Sequence, residues 1–293
     1  MDGTASSPRI RARQITDADT AAVSELLERG FSARRSREFW QYVLQRLAGR
    51  TVPAPYPRYG YLLESDRRPV GVFLQIFSTV WSGGTPKTRC TVSSVYVDPT
   101  FRMYAPFLEL QTFKYKDVTV LDATPGPSRY AVVEARGYTR YSNGIFVALP
   151  ALSRAPAAVP VRVLQAPARP DVPFDEYDDG LLRDHADFGC ISLWCVTPEK
   201  AYPFVLRPCV LKGALPAAHL VFCRDIGDFV GFARPIGRFL ARRLQFTVLI
   251  DANARIDGLP GKFFPGKRPR YFRGPHQPRL GDLAYTDIAL FGM

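Results

Sequence analysis

Cysteine, histidine and lysine are scarce in this sequence of 293 residues. The five cysteines are odd in number and lack zinc-ligand spacing, so we expect buried free thiols in a reducing compartment and no metal site. No apolar run approaches the roughly 18 residues of a membrane-spanning helix. The N-terminus lacks the layout of a secretory signal, and Walker, dinucleotide-binding, Ser/His/Asp and Cys/His patterns are absent too. We therefore expect a cytoplasmic protein without a membrane span.

Positive charge is abundant, and almost all of it comes from arginine. Of the 39 basic residues only seven are lysine, which leaves 32 arginines, and the formal net charge is +12. Arginine binds phosphate and carboxylate groups bidentately, so this charge fits a polyanionic ligand, whether a phosphate-bearing molecule, an acidic saccharide or nucleic acid. A coding bias toward arginine, alanine and proline explains the composition equally well.

One stretch in the first half of the chain shows a clear order of elements. Residues Cys90–Val97 are rich in β-branched and aromatic side chains, which predicts a strand that ends before Pro99. A short basic loop follows, and the pair Ala105-Pro106 suits the start of a helix. Val118–Ala123 is predicted to be a second strand, and Ser128–Arg136 a second helix that is closed by a Gly-Tyr pair.

This order of strand, basic loop, helix N-terminus, strand, helix and Gly-aromatic pair resembles the acyl-CoA-binding core of the GNAT superfamily of acyltransferases. The family loop is usually Arg/Gln-x-x-Gly-x-Gly/Ala, and here Arg102–Phe107 keeps the leading arginine and lacks both glycines. The resemblance implies an α/β fold of tandem acyl-CoA N-acyltransferase-like units with mixed, mostly antiparallel sheets. It also implies acyl-CoA or acetyl-CoA as co-substrate and no metal.

In that family the pantetheine arm of CoA pairs beside the first of these strands, and the pyrophosphate lies on N–H groups at the start of the next helix. A helix N-terminus has unpaired donors and a partial positive charge, so it suits a diphosphate. The CoA-binding residues that the resemblance implies are Val95, Val97, Arg102, Met103, Tyr104, Ala105 and Phe107.

Acyl transfer in this family needs a base for the acceptor and a proton donor for the departing CoA thiolate. Glu64 and Asp122 are the candidate bases, with a structural carboxylate as the alternative for each. Ser94 is a candidate for orienting the acceptor or a water molecule. The family tyrosine, four residues before the Gly-aromatic pair, is replaced by Val133, and Tyr130 is the nearby candidate for its role.

A proline-rich stretch separates two halves of the sequence. We predict a disordered N-terminus at 1–9 and a first GNAT-like domain at 10–149, which would hold the acyl-CoA. A Pro-rich linker is predicted at 150–179, and a second, degenerate GNAT-like domain at 180–293.

The second half repeats the order of the first. Ala218–Cys223 takes the place of the first strand, and a helix predicted at Arg234–Leu244 takes the place of the helix after it. Phe246–Ala252 then parallels Val118–Ala123, with Asp-Ala at the end of both strands. A chance β-α-β similarity is the alternative interpretation.

After residue 252 the second half departs from the first. Basic and aromatic residues are interspersed over Lys262–Arg273, which fits single-stranded nucleic acid, an anionic acceptor or a solvated surface. Because the aromatic residues come in apolar pairs, we expect them in a core or strand, and we expect no nucleic-acid partner. Leu283–Phe291 is predicted to be a final strand.

The leading hypothesis is acyl transfer from acyl-CoA to an amine or hydroxyl of a small-molecule or saccharide acceptor. An aminoacyl-tRNA-dependent transferase is a second hypothesis, since those enzymes also have tandem GNAT-like units. A catalytically degenerate binding or regulatory module is a third, and the missing loop glycines and tyrosine favour it. The sequence leaves the oligomeric state open.

Overall fold

The computed structural model of the chain describes residues 9–31, 33, 35–82, 84–154, 160–211 and 213–292. These residues group into two units, Met1–Asp122 and Ala123–Met293. The predicted disordered N-terminus lies outside the described residues except for Arg9. No helix within the described ranges is long and apolar enough to cross a membrane.

The first unit is built on one mostly antiparallel sheet. Its strands are Ile10–Gln14 (β1), Gly60–Ser65 (β2), Arg68–Ser82 (β3), Thr85–Val97 (β4) and Thr119–Asp122 (β5). They lie side by side in chain order, and only the last pair, β4 with β5, is parallel. Helices occupy Thr20–Phe31 (α1), Arg37–Ala48 (α2) and Ala105–Leu110 (α3).

The helices of this unit follow from apolar spacing and capping. Val23, Leu26 and Leu27 recur at helical spacing and are buried on one face of α1. Ser36 caps α2, because its side chain accepts a hydrogen bond from the N–H of Phe39 (3.4 Å).

The second unit contains seven strands and four helices among its described residues. The strands are Thr139–Ala148 (β6), Arg162–Gln165 (β7), Ile191–Val196 (β8), Ala201–Leu211 (β9), Leu215–Cys223 (β10), Thr247–Ala252 (β11) and Gly261–Arg273 (β12). Their order is β12-β6-β11-β10-β9-β8-β7, and β10 with β11 is the parallel pair. The helices are Tyr130–Ala135 (α4), Glu176–Asp187 (α5), Ile226–Ala241 (α6) and Asp287–Phe291 (α7).

Both units contain the same succession of elements. A hairpin (β3–β4, then β9–β10) is followed by a crossover helix (α3, then α6) and by a strand parallel to the second hairpin strand (β5, then β11). The predicted α/β class with mixed, mostly antiparallel sheets is therefore confirmed. The strands β5 and β11 hold matching places in this succession, as the repeat in the sequence predicted.

The aspartates near the ends of β5 and β11 lie on different faces of their sheets relative to the crossover helix. The strand register places the side chains of Asp122 and Gln75 on the same face of the sheet. On that face the Nε2 of Gln75 donates to Oγ1 of Thr112, which lies just after the crossover helix α3 (2.8 Å). In β11 it is Ile250 that packs against α6, so Asp251 faces the other side of its sheet. Because strand side chains alternate, an offset of one residue moves a side chain to the opposite face.

The predicted domain limits differ from the units of the structure. The division falls between Asp122 and Ala123, so α4 and β6 group with the second unit. The stretch 150–179, predicted to be a linker, contains β7 and the start of α5 in addition to residues outside the described ranges. The limits 10–149 and 180–293 stay predictions.

Of three elements predicted in the second half, the helix and the final strand are corrected, and the strand expected at the basic segment is confirmed. The helix predicted at Arg234–Leu244 begins at Ile226, because the Asp225 side chain caps it by accepting the N–H of Gly227 (2.5 Å). The basic segment Lys262–Arg273 belongs to β12, which pairs with β6. The strand predicted at Leu283–Phe291 is wrong: the chain there forms α7, which ends where Gly292 adopts a left-handed conformation (φ 72°).

A buried charged cluster lies on the face of the second sheet opposite α6. Arg270 donates from Nε to Oδ2 of Asp251 (2.8 Å) and from Nη2 to Oδ1 (3.0 Å), and His219 Nε2 lies 3.3 Å from Oδ1. Burial alone would raise the pKa of Asp251, but the Arg270 charge and His219 outweigh it and hold this pKa well below its usual range. The cluster is therefore charged inside a core.

Replacing Arg270 by leucine should destabilise the second unit by about 3–5 kcal/mol, because the buried Asp251 carboxylate loses its partner. The double variant Arg270→Leu/Asp251→Leu removes both charges and should cost less than the single variant. Urea denaturation of the three proteins measures both effects. A double variant that loses as much stability as Arg270→Leu, or more, would contradict this coupling.

Candidate functional site

An extra residue in β4 shapes the sheet of the first unit. Phe73 of β3 pairs with Val95, and Gln75 pairs with Val92. Between these two pairs β3 has one residue and β4 has two. The extra residue lies at Ser93–Ser94 and forms a β-bulge, which bends a strand and redirects its side chains.

The parallel ladder between β4 and β5 ends next to this bulge. Its last pair is Val92 with Asp122, which is also the last residue of β5. Within the described residues of the first unit, no strand continues this pairing alongside Ser93–Val97. Predicted CoA-binding residues Val95 and Val97 lie on this strand edge. A strand edge of this kind can pair with an extended ligand that carries amide groups.

The chain after β4 is helical from Pro99 to Lys114. A 3-10 helix spans Pro99–Tyr104 and α3 follows it directly, so the other predicted CoA-binding residues share one helical segment: Arg102, Met103, Tyr104, Ala105 and Phe107. The N–H of Phe101 donates to the Asp98 carbonyl (2.8 Å), and the N–H of Ala105 donates to the Arg102 carbonyl. Since Pro106 has no N–H, fewer backbone donors are available here than at an open glycine-rich loop. Arg102 itself is exposed.

Ser94 and Asp122 lie at the two sides of the point where the ladder ends. Ser94 is in the bulge and is 5% exposed, and Asp122 is 9% exposed. Because Asp122 pairs with Val92, the structure brings this carboxylate next to the bulged part of β4.

Glu64, the other candidate base, lies in an ion-pair network. Arg11 Nε donates to its Oε2 and Arg13 Nε to its Oε1, both at 2.7 Å, and Arg13 also binds Asp19. Burial alone would raise the pKa of Glu64, but the two arginine hydrogen bonds outweigh it and hold this pKa below its ordinary value. This arrangement favours a structural carboxylate over a base.

Tyr130 begins α4 and so belongs to the second unit. Its ring packs against Tyr271 of the same unit, with ring centroids 6.0 Å apart. The Tyr271 hydroxyl donates to Glu134, near the other end of α4 (2.9 Å).

An aromatic cluster on the strands β2 and β3 was not predicted. Tyr56 stacks on Phe77 (ring centroids 4.6 Å apart), and both rings contact the edge of Tyr115. The Tyr61 hydroxyl lies 3.0 Å from that of Tyr115, and burial, reinforced by this hydrogen bond, raises the pKa of Tyr61. Aromatic residues at Tyr61, Phe73 and Phe77 of the two strands were the available signal, but nothing in the sequence identifies their partners across the fold.

The described part of the chain has no group of three or more His, Cys, Asp or Glu side chains that could hold a metal ion. All five cysteines are free, and four of them are buried.

Known structures resemble this fold, although no protein-family model and no curated protein matches the sequence. A GCN5-related N-acetyltransferase from Anabaena variabilis matches with a TM-score of 0.57 and 11% identity, over 90% of this chain and 72% of that chain. A putative acetyltransferase from Pyrococcus horikoshii matches with a TM-score of 0.51 and 11% identity, over 97% and 93%.

A third structure is the glucosamine N-acetyltransferase region of a fungal multi-domain β-N-acetylglucosaminidase. It matches with a TM-score of 0.56 and 10% identity, over 92% of this chain and 39% of that chain. At such low identities these likenesses show the fold. The chain therefore has the fold of the GCN5-related N-acetyltransferases, as its order of elements predicted.

The arginine network around Glu64 predicts acid sensitivity. Glu64→Gln should lower the free energy of unfolding at pH 7 by about 1–3 kcal/mol, because two charge-assisted hydrogen bonds weaken. A carboxyl with a depressed folded-state pKa stabilises above its unfolded pKa of about 4 and loses that contribution as the pH falls. The gap between wild type and variant should therefore shrink from pH 7 to pH 3 in urea denaturation. A gap independent of pH would show that the charge of Glu64 is not what stabilises the fold.

Proposed function

We propose that the first unit transfers an acyl group from acyl-CoA to an amine or hydroxyl of a small-molecule or saccharide acceptor. The observation that carries this proposal is the β4 edge at Ser93–Val97, where the bulge and the end of the β4–β5 ladder adjoin the helical segment from Pro99. The pantetheine arm of the substrate contains two amides, so it would bind this edge as a strand does.

The proposed reaction needs little from the protein beyond positioning and proton transfer. The acceptor nitrogen or oxygen attacks the thioester carbonyl and loses its proton to a base. The carbon–sulfur bond then breaks, and the leaving thiolate of CoA takes up a proton. Backbone N–H groups of the bulged strand would stabilise the negative charge that develops on the carbonyl oxygen.

The proposed roles follow from the geometry of the first unit. Asp122 is the preferred base, because it ends β5 beside the bulge and is nearly buried. Ser94 would orient the acceptor or a water molecule. Glu64 is less suited to proton transfer, since two arginines bind its carboxylate. The sequence-based proposal of Tyr130 as proton donor for the thiolate does not follow from this geometry, because Tyr130 belongs to the second unit.

Arg102 is proposed to hold the diphosphate of acyl-CoA. Its charge matters more here than in a glycine-rich loop, because neighbouring N–H groups already have backbone partners. Met103, Tyr104, Ala105 and Phe107 would flank the diphosphate on the same helical segment.

Arg102→Ala should weaken acetyl-CoA binding about 10- to 100-fold, as expected for the loss of a charge-assisted hydrogen bond worth about 1.5–3 kcal/mol. Isothermal titration calorimetry measures the affinity. Arg67→Ala is the matched control, since Arg67 is also an exposed arginine but lies in the turn between β2 and β3. Equal affinities for the Arg102 variant and the wild type would place the diphosphate elsewhere.

A binding or regulatory module is the second candidate function. The engaged donors of Phe101 and Ala105 and the absence of loop glycines favour it. Release of free CoA thiol in the presence of a panel of amines and amino sugars distinguishes the two candidates. Tight acetyl-CoA binding without thiol release from any acceptor would support the module.

The acceptor is proposed to be an amine or hydroxyl compound of modest size, and amino sugars are the first class to test. One structural neighbour is described as a glucosamine N-acetyltransferase region, which supports that choice. The five free cysteines suit a reducing compartment, so we place the protein in the cytoplasm.

Nucleic acid is not expected to be a partner of the basic strand β12. Lys262, Lys267 and Arg268 are exposed, and so is Phe264. Tyr271 is fully buried, and Phe263 and Phe272 are half-buried, so the strand offers few rings for base stacking. Binding of single-stranded RNA should be weak and non-saturating at physiological salt, and replacing the three exposed basic residues by alanine should change little. Tight binding that falls steeply with salt and is lost in this variant would show that RNA is the partner.

A further inference from the structure

The second unit has a strand edge of the same kind as the proposed CoA edge. In the β9–β10 hairpin, Leu220 pairs with Leu206 and Phe222 with Val205, so β10 carries an extra residue at Val221. The parallel ladder with β11 ends just before this bulge, at His219. The β10 edge beyond the bulge therefore corresponds to the β4 edge in the first unit.

In the second unit this edge is already paired with the protein's own chain. Phe222 forms an antiparallel bridge with Asp282. The N–H of Leu283 donates to the Val221 carbonyl (2.7 Å), and the N–H of Cys223 donates to the Gly281 carbonyl (2.9 Å). We call residues 279–291 the C-terminal strap. Its segment 281–283 takes the backbone hydrogen bonds that an extended ligand would need.

Side chains hold the strap on both sides of this pairing. Before it, Arg279 Nη1 donates to the Cys223 carbonyl. After it, the N–H of Tyr285 donates to Nε2 of the fully buried His185 (3.0 Å), and the Tyr285 hydroxyl donates to Asp184 (2.7 Å). Leu283 is 2% exposed, so the strap is part of the core rather than a loosely attached tail.

The crossover helix of the second unit also disfavours an anionic ligand. Asp225 caps α6 and its side chain accepts the N–H of Gly227, while Asp228 lies in the first turn. These carboxylates bring negative charge to the helix end at which a diphosphate would bind. The corresponding first turn of α3 has no acidic residue.

We propose that the C-terminal strap is an internal occupant of the second unit: it takes the strand position that acyl-CoA takes in the first unit and so closes the second unit to acyl carriers. The comparison with acyl-CoA rests on the proposed function of the first unit. The occupancy of the β10 edge does not, and it can be tested without any ligand.

Hydrogen exchange tests the occupancy directly. The amides of Leu283 and Cys223 should exchange at least about 100-fold more slowly than amides of exposed turns, since both are bonded within the core. Exchange of Leu283 at the rate of an exposed turn would overturn the proposal, because the edge would then be unoccupied in solution.

A covalent lock tests the closure. A Cβ atom at position 281 would lie 2.7 Å from Cys223 Sγ, so Gly281→Cys places a thiol within reach of a disulfide to β10. Gly266→Cys is the matched control, since Gly266 also has a positive φ and a Cβ there would have no neighbour within 4 Å. Both variants are compared with wild type, oxidised and reduced, by calorimetry with acetyl-CoA.

We expect one acetyl-CoA to bind per chain in all these proteins. Formation of the disulfide in Gly281→Cys should change the affinity less than twofold. Adding Arg102→Ala should lower the affinity. Two equivalents in the wild type, or the loss of one equivalent on locking, would overturn the proposal, since the β10 edge would be open to ligand. A wild type that binds no acetyl-CoA would count against the proposed function of the first unit alone. Slow exchange at Leu283 and Cys223 would in that case still support the occupied edge.

Discussion

One extra residue in a strand determines where each unit of this protein has a strand edge outside the parallel ladder. In β4 the extra residue lies at Ser93–Ser94, and in β10 it lies at Val221; in both cases parallel pairing stops beside it. Backbone groups past such a point need partners from outside the ladder. In the second unit residues 281–283 supply them, whereas in the first unit an extended substrate is proposed to do so. The roles proposed for the two units therefore differ according to which partner fills this edge.

Elements that depend on local residue patterns were predicted well. Cys90–Val97 lies in β4, Val118–Ala123 contains β5, and Ser128–Arg136 contains α4, as β-branched and helical spacing indicated. The order of these elements along the chain was sufficient to predict the fold, because two parallel strands need a crossover connection between them, and the helix supplies it. For the candidate site, the sequence named Val95, Val97 and Asp122 separately, and the structure places them near one strand edge.

Features that depend on distant partners could not be read from the sequence. The arginines that bind Glu64 come from β1, more than 50 residues earlier, so a candidate base proved to be part of an ion-pair network. The Asp-Ala pairs of β5 and β11 look equivalent, but a shift of one residue puts Asp122 and Asp251 on opposite faces relative to the crossover helix. Leu283–Phe291 has the composition of a strand, and only the packing of α7 in the second unit makes it helical.

The position of β6 has a consequence for the order of folding. Ala148 of β6 pairs with Val248 on one side and with Gly261 on the other, at separations of 100 (248 − 148) and 113 (261 − 148) residues. The strands β8, β9 and β10, in contrast, pair through short turns. Closing the long loops costs entropy before both neighbours of β6 are present. The meander of β8 to β10 is therefore expected to form early, while β6, with apolar residues such as Phe146 uncovered, joins late and is the strand most exposed to aggregation during folding.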